Sequence, residues 1–493
     1  MDLSSLLGEA AAHHSEKTAL IGERSAMSYR EVTLKAQAVA HDLLAFGAEP
    51  GSRIALHMRN GTAIAVCYFA CFYAGMIAVP INTRMKAPEI DYVLEHSGAS
   101  IYIGQDQLFR EINGVSSRLS RMRLLVVDAD NLEPGSASAS AIPSPAILPE
   151  QPAAILYTSG STAHPKGVVH THFSLLRAAQ DFGVDEHDIV SLITPMVHSA
   201  AFMILIAAIQ AGATAVAVTA FEPNAVLDAI EQHRCTYLLG MPAMYSALIS
   251  AQRIRPRDLS SVSRFLAGGD SVPLELQREF LDCMGQPLHE IFGTTENGWI
   301  AGNFSSAPRH KGAFGRPPPS VEVAVADADG ALLPPGSAGE MIVRSRATMI
   351  GYWNDPKETG KALKDGWFHT GDLVRQSQDG YLWFVGRQKE IIVTGGSNVS
   401  PQEVEAVLYQ HPEVREVGVV GIADRTRGER VVAFVSCTSG ARVKPNQLIS
   451  FVASQLAAYK TPEQIVFLDD LPKSVAGKVQ RRALREEYVA SLG

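Results

Sequence analysis

The sequence predicts an α/β protein: a large N-terminal domain of layered, mostly parallel sheets with a β-rich subdomain, then a small α+β C-terminal domain. Two observations carry this expectation. Up to about Ile300, short apolar runs alternate with amphipathic helical stretches, the pattern of parallel strands covered by helices on both faces. From Val321 the strand-like runs become shorter and closer together, and the last stretch of chain has its own strands and capped helices.

In "SYREVTLKAQAVAHDLLAFG", Ser28 and Glu31 have capping-box spacing, Val32, Val39, Leu43 and Phe46 share one face, and Gly47 ends the helix. The strand "RIALHM", the helix "GTAIAVCYFACFYAG", the strand "IAVPI", a helix from Pro88 to His96 and the strand "SIYIG" follow. "LEPGSASASAIPSPAILPEQ" reads as a Ser/Ala/Pro linker. Ala200 to Thr219 is apolar and long enough for a membrane span. Gln210, Gly212, the change to alternating Ala/Val and the Asp/His flanks instead predict a buried helix, a turn and a buried strand. Near the end, "EIIVTG" is a strand, and "SPQEVEAVLYQ" is a helix with Ser400 as cap, Pro401 in the first turn and Glu403 completing the box. "EVGVVGIA" pairs with "RVVAFVSC", the helix "PNQLISFVASQLA" and strand "QIVFL" follow, and a polar loop leads into a basic helix.

The 493 residues suffice for two or three domains, and 46% hydrophobic, 19% charged and 7% aromatic residues are ordinary for a globular chain. A net charge of −8 with no basic half argues against a nucleic-acid partner. The cysteines, Cys67, Cys71, Cys235, Cys283 and Cys437, form no C-x-x-C pair and are expected to be reduced, buried thiols. "MDLSSLLGEAAAHHSEK" lacks a basic start before an apolar core, so no secretory signal or membrane span is expected and the location is cytoplasmic.

"YTSGSTAHPKGVVHTH" combines hydroxyls, glycines and one cation directly after an apolar run, a composition that makes an anion-holding concavity. Lys166 precedes Gly167 and Val168, so the order is not that of a Walker loop. Three further segments are ambiguous alone: "IFGTTENG" could be a strand ending in a capped helix, "GWFHTGDL" a hairpin, and "AGKVQRR" a solvated basic helix. With the loop, in this order, they make the chain resemble the adenylate-forming superfamily of acyl-CoA synthetases, luciferases and peptide-synthetase adenylation domains. The resemblance is greatest to small bacterial carboxylate–CoA ligases of the benzoate/coumarate type, and runs from "YREV" and "VPINTR" to "GKVQRR".

The resemblance implies ATP, Mg²⁺, coenzyme A and a small carboxylic acid as partners. It divides the chain into an ATP- and acyl-binding domain, 1–386, and a mobile domain, 387–493, carrying the adenylation lysine. A carboxylate is a poor electrophile and must become an acyl-adenylate before a thiol attacks, so phosphate must be held, charge neutralised and water kept out. By resemblance, Thr158, Ser159, Gly160, Ser161, Thr162 and Lys166 cradle pyrophosphate, with Ala163 and His164 where relatives usually carry Gly. Glu296 and Thr295 are the metal-side oxygens, as a hard cation wants. Gly268, Phe292 (usually Tyr in relatives), Gly293 and Thr294 surround the nucleotide, Asp372 takes the ribose hydroxyls, and Arg387 approaches ribose and phosphate. Lys478 stands between carboxylate and α-phosphate during adenylation, while Lys473, Arg481 and Arg482 read as a solvated basic face. Lys389 is the hinge of a domain rotation that brings Gly395 and Gly396 to the pantetheine tunnel.

His170 and His172 would face one way on a strand, but zinc-spaced Cys/His partners are lacking. The resemblance places His198 at the acyl-pocket mouth, Leu239, Ile291 and Gly298 along the pocket, and Trp299 at its far end. The segments "MVHSAAFM", "LLGMPAMY", "LAGGDS" and "IFGTTENGWI" contain no Lys or Arg, so a second substrate carboxylate would be buried unpaired. This implies an ATP-dependent ligase that makes acyl-AMP and then acyl-CoA from an aromatic or short-to-medium monocarboxylate. A carrier-protein loader, a long-chain acyl-CoA synthetase, a luciferase-like oxygenase and a non-catalytic binder stay open, as do monomer and homodimer.

Overall fold

Short strands rich in Ala, Val, Ile and Leu build two parallel-rich sheets, because both faces of each are covered. The computed structural model describes residues 2–113, 116, 119, 122–127, 145–158, 165–270, 272–303, 310, 312–388, 390–394, 397–424, 428–456, 458–474 and 477–491. One sheet has seven strands in the order 351–352, 166–171, 152–158, 77–80, 53–57, 101–105 and 123–127. Its pairs are parallel except at the phosphate-loop edge, where Lys166–Thr171 folds back on Pro152–Thr158 and sets Thr158 opposite Lys166. The second sheet has eight strands, in the order 298–302, 288–294, 264–267, 237–240, 189–192, 214–217, 18–21 and 26–28.

Helices Leu3–His14, Tyr29–Ala45, Thr62–Tyr73, His172–Asp181 and Ser199–Ala211 share one apolar core with residues of both sheets and form the layer between them. Ser199–Ala211 is buried on all sides from Ala201 to Ile209, Gly212 reverses the chain at φ 73°, and Thr214–Ala217 is a buried strand, as the sequence predicts. Among the described residues no helix is long and apolar enough to cross a membrane.

An antiparallel sheet built on Val321–Ala326, Ala338–Ser345, Trp367–Gln376 and Leu382–Arg387 forms the β-rich subdomain. In the C-terminal unit, Val414–Asp424, Gly428–Cys437 and Gln464–Phe467 are neighbours in a mixed sheet. Pro401–Leu408 and Pro445–Ala453 pack on one face and Arg481–Ser491 on the other.

Four local expectations change. Phe46 is 45% exposed rather than buried, because it is the C-cap, where the chain turns outward before Gly47. Ser400 caps its helix, but the Glu403 carboxylate is taken by Lys460 Nζ at 2.6 Å, a full charge that outcompetes a neutral backbone N–H. "IFGTTENG" is a tight hairpin rather than a helix start: Thr294 pairs with Gly298, whose φ of 73° permits the reversal. Cys67, Cys71 and Cys235 are buried free thiols, whereas Cys283 and Cys437 are only half-buried.

Candidate active site

The hairpin closes at Glu296, where one other segment, 349–352, grips it twice. Met349 N–H donates to the Glu296 carbonyl at 2.7 Å, and Tyr352 O–H donates to its Oε1 at 2.9 Å. The preceding turn is held by a buried histidine. His170 Nε2 donates to the Thr295 carbonyl at 2.7 Å, so Nδ1 is the acceptor toward Ser174 Oγ, 3.0 Å away. Burial pushes the His170 pKa down to about 4, which keeps the ring neutral as this arrangement requires. His172 is buried against Phe72 with ring centroids 6.0 Å apart. Thr295 Oγ1 lies 3.1 Å from Ser199 Oγ, while Thr294 Oγ1 is buried with no partner among the described residues.

Asp372 is 2% exposed and, across from the neighbouring strand, sits opposite Arg387, whose Nε is 3.0 Å from its Oδ1. Burial pushes its pKa up to about 6, the Arg387 guanidinium pulls against that, and the Glu296 charge adds to it. Lys478 keeps solvent-accessible surface, yet burial in the cleft lowers its pKa, opposed by Asp270, aided by Arg387 and opposed by Asp372. The same ammonium acts on His198. Burial first, then Arg84 and Lys478, push that imidazole down to about 4, so the neutral ring can accept from Asn82 Nδ2 at 3.3 Å. The Lys478 charge is thus felt by both Asp372 and His198.

Arg481 fixes the loop that delivers Lys478. Its guanidinium reaches Glu405 at 2.6 Å and Glu390 at 2.8 Å, so it is an enclosed anchor and not part of a solvated face. Lys473 pairs with Glu416, and Arg482 pairs along its own exposed helix with Glu486 at 2.7 Å.

Phe292 lies 4.7 Å from Phe314 and 6.2 Å from Phe384, ring centre to ring centre. A Cβ on Gly268 would stand 2.7 Å from Ile291 Cγ1, and one on Gly293 only 2.5 Å from the Gly298 carbonyl, so both positions exclude side chains. Leu239 and Trp299 belong to the central apolar core, with the half-buried Ile291 packed against it, and Trp299 lies edge-on to Phe182 at 5.4 Å. Thr158 and Lys166 face each other at the base of the phosphate hairpin. Ser159, Gly160, Ser161, Thr162, Lys389, Gly395 and Gly396 lie outside the described residues. Sequence reasoning missed Asn82, Arg84, Asp270, Tyr352, Glu358 and the anchoring role of Arg481. Of the first five, "VPINTR" contains Asn82 and Arg84 and "LAGGDS" contains Asp270, but none had been given a role.

Residues 7–353 match the family profile described as AMP-binding enzyme, and residues 403–478 that of the AMP-binding enzyme C-terminal domain. Feruloyl-CoA synthase of Amycolatopsis sp is 35% identical over 476 residues, covering 94% of both chains. Indoleacetate–CoA ligase of Aromatoleum aromaticum is 33% identical over 504 residues, covering 99% of this chain and 98% of that one. The crystal structure of ATP-bound MatB from Rhodopseudomonas palustris superposes with a TM-score of 0.91 at 28% identity over 99% of both chains. The chain belongs to the AMP-binding enzyme family, the adenylate-forming ligases. It is an ATP-dependent, AMP-forming carboxylate–CoA ligase that works through an acyl-adenylate.

The residues present suit magnesium and ATP. Among the described residues no cluster of three or more His, Cys, Asp or Glu could hold a metal alone. A firmly held carboxylate, Glu296, near a Thr294 hydroxyl that has no partner among the described residues, would suit a hard cation, which favours oxygen donors.

Proposed function

We propose that the acid is a monocarboxylate, aromatic or of short-to-medium chain, and that the acceptor is free coenzyme A. The carrying observation is the distribution of charge around His198. The charges of Arg84 and Lys478 bear on it, while Leu239 and Trp299 belong to the apolar core and the half-buried Ile291 packs against that core. One carboxylate at the mouth is matched by cations, and a second one deeper in would be buried without a partner. The feruloyl and indoleacetate relatives, both named for aromatic acids, support the same choice.

In this reading Lys166 with Thr158 and the loop 159–162 holds the pyrophosphate end. Glu296 and the threonine hydroxyls hold Mg²⁺, which when bound neutralises phosphate charge. Phe292, Gly268 and Gly293 make the adenine slot, and Asp372 and Arg387 orient the ribose. Lys478 offsets repulsion between the carboxylate and the α-phosphate. Enclosure of the cleft keeps water from the activated acyl group. The chain divides at 386/387, with Lys389 as hinge and Gly395 and Gly396 at the thiol's approach, and the enzyme works in the cytoplasm.

A panel of carboxylic acids assayed for AMP release, with and without coenzyme A, tests this reading. The expected result is release that depends on both an aromatic or medium-chain acid and the thiol. Pyrophosphate exchange at background with every aromatic acid and every alkanoic acid up to decanoate would refute it.

Trp299→Ala is expected to move the preference toward longer acids. Each buried methylene contributes ~0.8 kcal/mol, so two extra carbons are worth about tenfold in kcat/KM even after partial collapse of the pocket. Because Trp299 is 3% exposed in the core, the same change costs about 3–5 kcal/mol of stability, and the assay belongs well below the variant's melting temperature. A chain-length profile lowered uniformly, with its shape unchanged, would make Trp299 a core residue only.

A further inference from the structure

Lys166, the cation of the phosphate hairpin, already has a partner. Its Nζ lies 2.5 Å from Glu358 Oε2 and 4.8 Å from the centre of the Tyr352 ring, and the two charged side chains are only 16% and 19% exposed. Glu358 has supports besides Lys166. It lies in the helix Pro356–Ala362, its N–H donates to the capping Asp355 carboxylate at 3.0 Å, and its Oε1 takes Lys361 Nζ at 2.5 Å. The segment leading into that helix is fastened to the phosphate hairpin: Tyr352 pairs with Val168, and Trp353 N–H donates to the Gly167 carbonyl at 2.7 Å. Through Tyr352 O–H and Met349 N–H it also holds Glu296, so one segment sets the spacing of both groups.

A bare lysine beside a phosphate loop would bind the product pyrophosphate as readily as the triphosphate of the substrate. A fixed carboxylate within reach of the same ammonium competes with both, and one that retains Lys361 is not left unpaired when Lys166 turns away. Lys166 and Lys361 together hold Glu358 down at a pKa of about 2, so the competing charge is present at every working pH.

We propose that Glu358 is a positioning residue, a resident counter-ion that holds Lys166 between turnovers, yields it to the triphosphate and reclaims it as pyrophosphate leaves. The proposal rests on the reading of Lys166 as the phosphate cation. It adds a group that tunes product release without touching the nucleotide.

The test is calorimetric binding of magnesium pyrophosphate, without acid or coenzyme A, to the wild type, Glu358→Gln, Lys166→Ala and the double variant. Glu358→Gln is expected to bind pyrophosphate about fivefold more tightly, the scale of one partly enclosed ion pair. In the Lys166→Ala background the same substitution should change affinity by less than about twofold. A merely structural Glu358 would loosen the hairpin and weaken binding. Equal or weaker binding by Glu358→Gln overturns the proposal, and so does an undiminished gain in the absence of Lys166. If Glu358→Gln does not fold, Glu358→Asp carries the test, with a smaller gain of the same sign that again requires Lys166. A wild type that binds neither ATP nor pyrophosphate overturns the site reading itself, an outcome distinct from those that overturn only the role of Glu358.

Discussion

Lys478→Ala slows acyl-adenylate formation by about 10²–10³-fold and leaves thioester formation from supplied acyl-adenylate near the wild-type rate. Asp270 and Asp372 attract the lysine's charge, and that charge also bears on His198, so in the proposed reading it stands where two anions must be brought together. Arg387, another cation that acts on Lys478, is committed to Asp372 at 3.0 Å and half-exposed, and does not replace it. Because the Lys478 side chain is exposed and Arg481 still anchors the loop, the variant should melt with the wild type. Rapid-quench measurement of each half-reaction decides the matter. Equal losses in both would make Lys478 a structural residue, or show that it stays in the site during thioester formation.

Asp372→Asn should raise the KM for ATP by about 10–100-fold, the scale of lost hydrogen bonds to a charged acceptor, while making the protein more stable at neutral pH. The two effects have one cause. Burial raises the folded-state pKa of Asp372 from 3.8 to about 6, so the folded protein favours the protonated form. The stability associated with that proton is fully present below pH 3.8 and is lost as pH rises through 6. Above that, the ionised carboxylate costs the fold about 1–2 kcal/mol after allowing for Arg387, and an amide removes the cost. Thermal unfolding should therefore show the Asn variant ahead at pH 7.5 and level with the wild type at pH 4. In the wild type, kcat/KM for ATP should fall as pH drops below about 6, where Asp372 loses its charge. An Asn variant less stable at pH 7.5 would mean that the Arg387 pair outweighs the burial penalty.

The layered fold was readable because its signals are local: a capping box at Ser28, an αL glycine at Gly212, and an apolar run broken there into a helix and a strand. The order of motifs marked Glu296, Asp372 and Lys478, since each belongs to a short segment whose residue types suit its chemistry. Tyr352 and Glu358 were not legible. They act through residues 56 and 192 positions away in sequence, and nothing in a tyrosine or a glutamate announces such a partner. Arg481 was misread for a related reason: beside Arg482 on a basic helix it looks solvated, and only folding brings Glu390 and Glu405 to it. The hairpin after Thr294 was obscured by "TTEN", whose hydroxyl and acidic residues serve a helix start as well as a tight turn.

The strand Thr18–Ile21 pairs in parallel with Thr214–Ala217, setting Leu20 beside Ala215, so the start of the chain finishes a sheet whose other strands come from its middle. About 200 residues separate the partners, and at ribosomal speeds of roughly 5–20 residues per second this amounts to about 10–40 s of synthesis. During that interval the nascent chain carries Leu3, Leu6, Leu7, Ala19 and Leu20, all destined for the shared core, with no completed sheet to receive them. Chaperone demand during translation should therefore peak before Ala217 emerges, and synonymous codons that pause the ribosome just upstream should lower the yield of folded enzyme more than pauses placed after it.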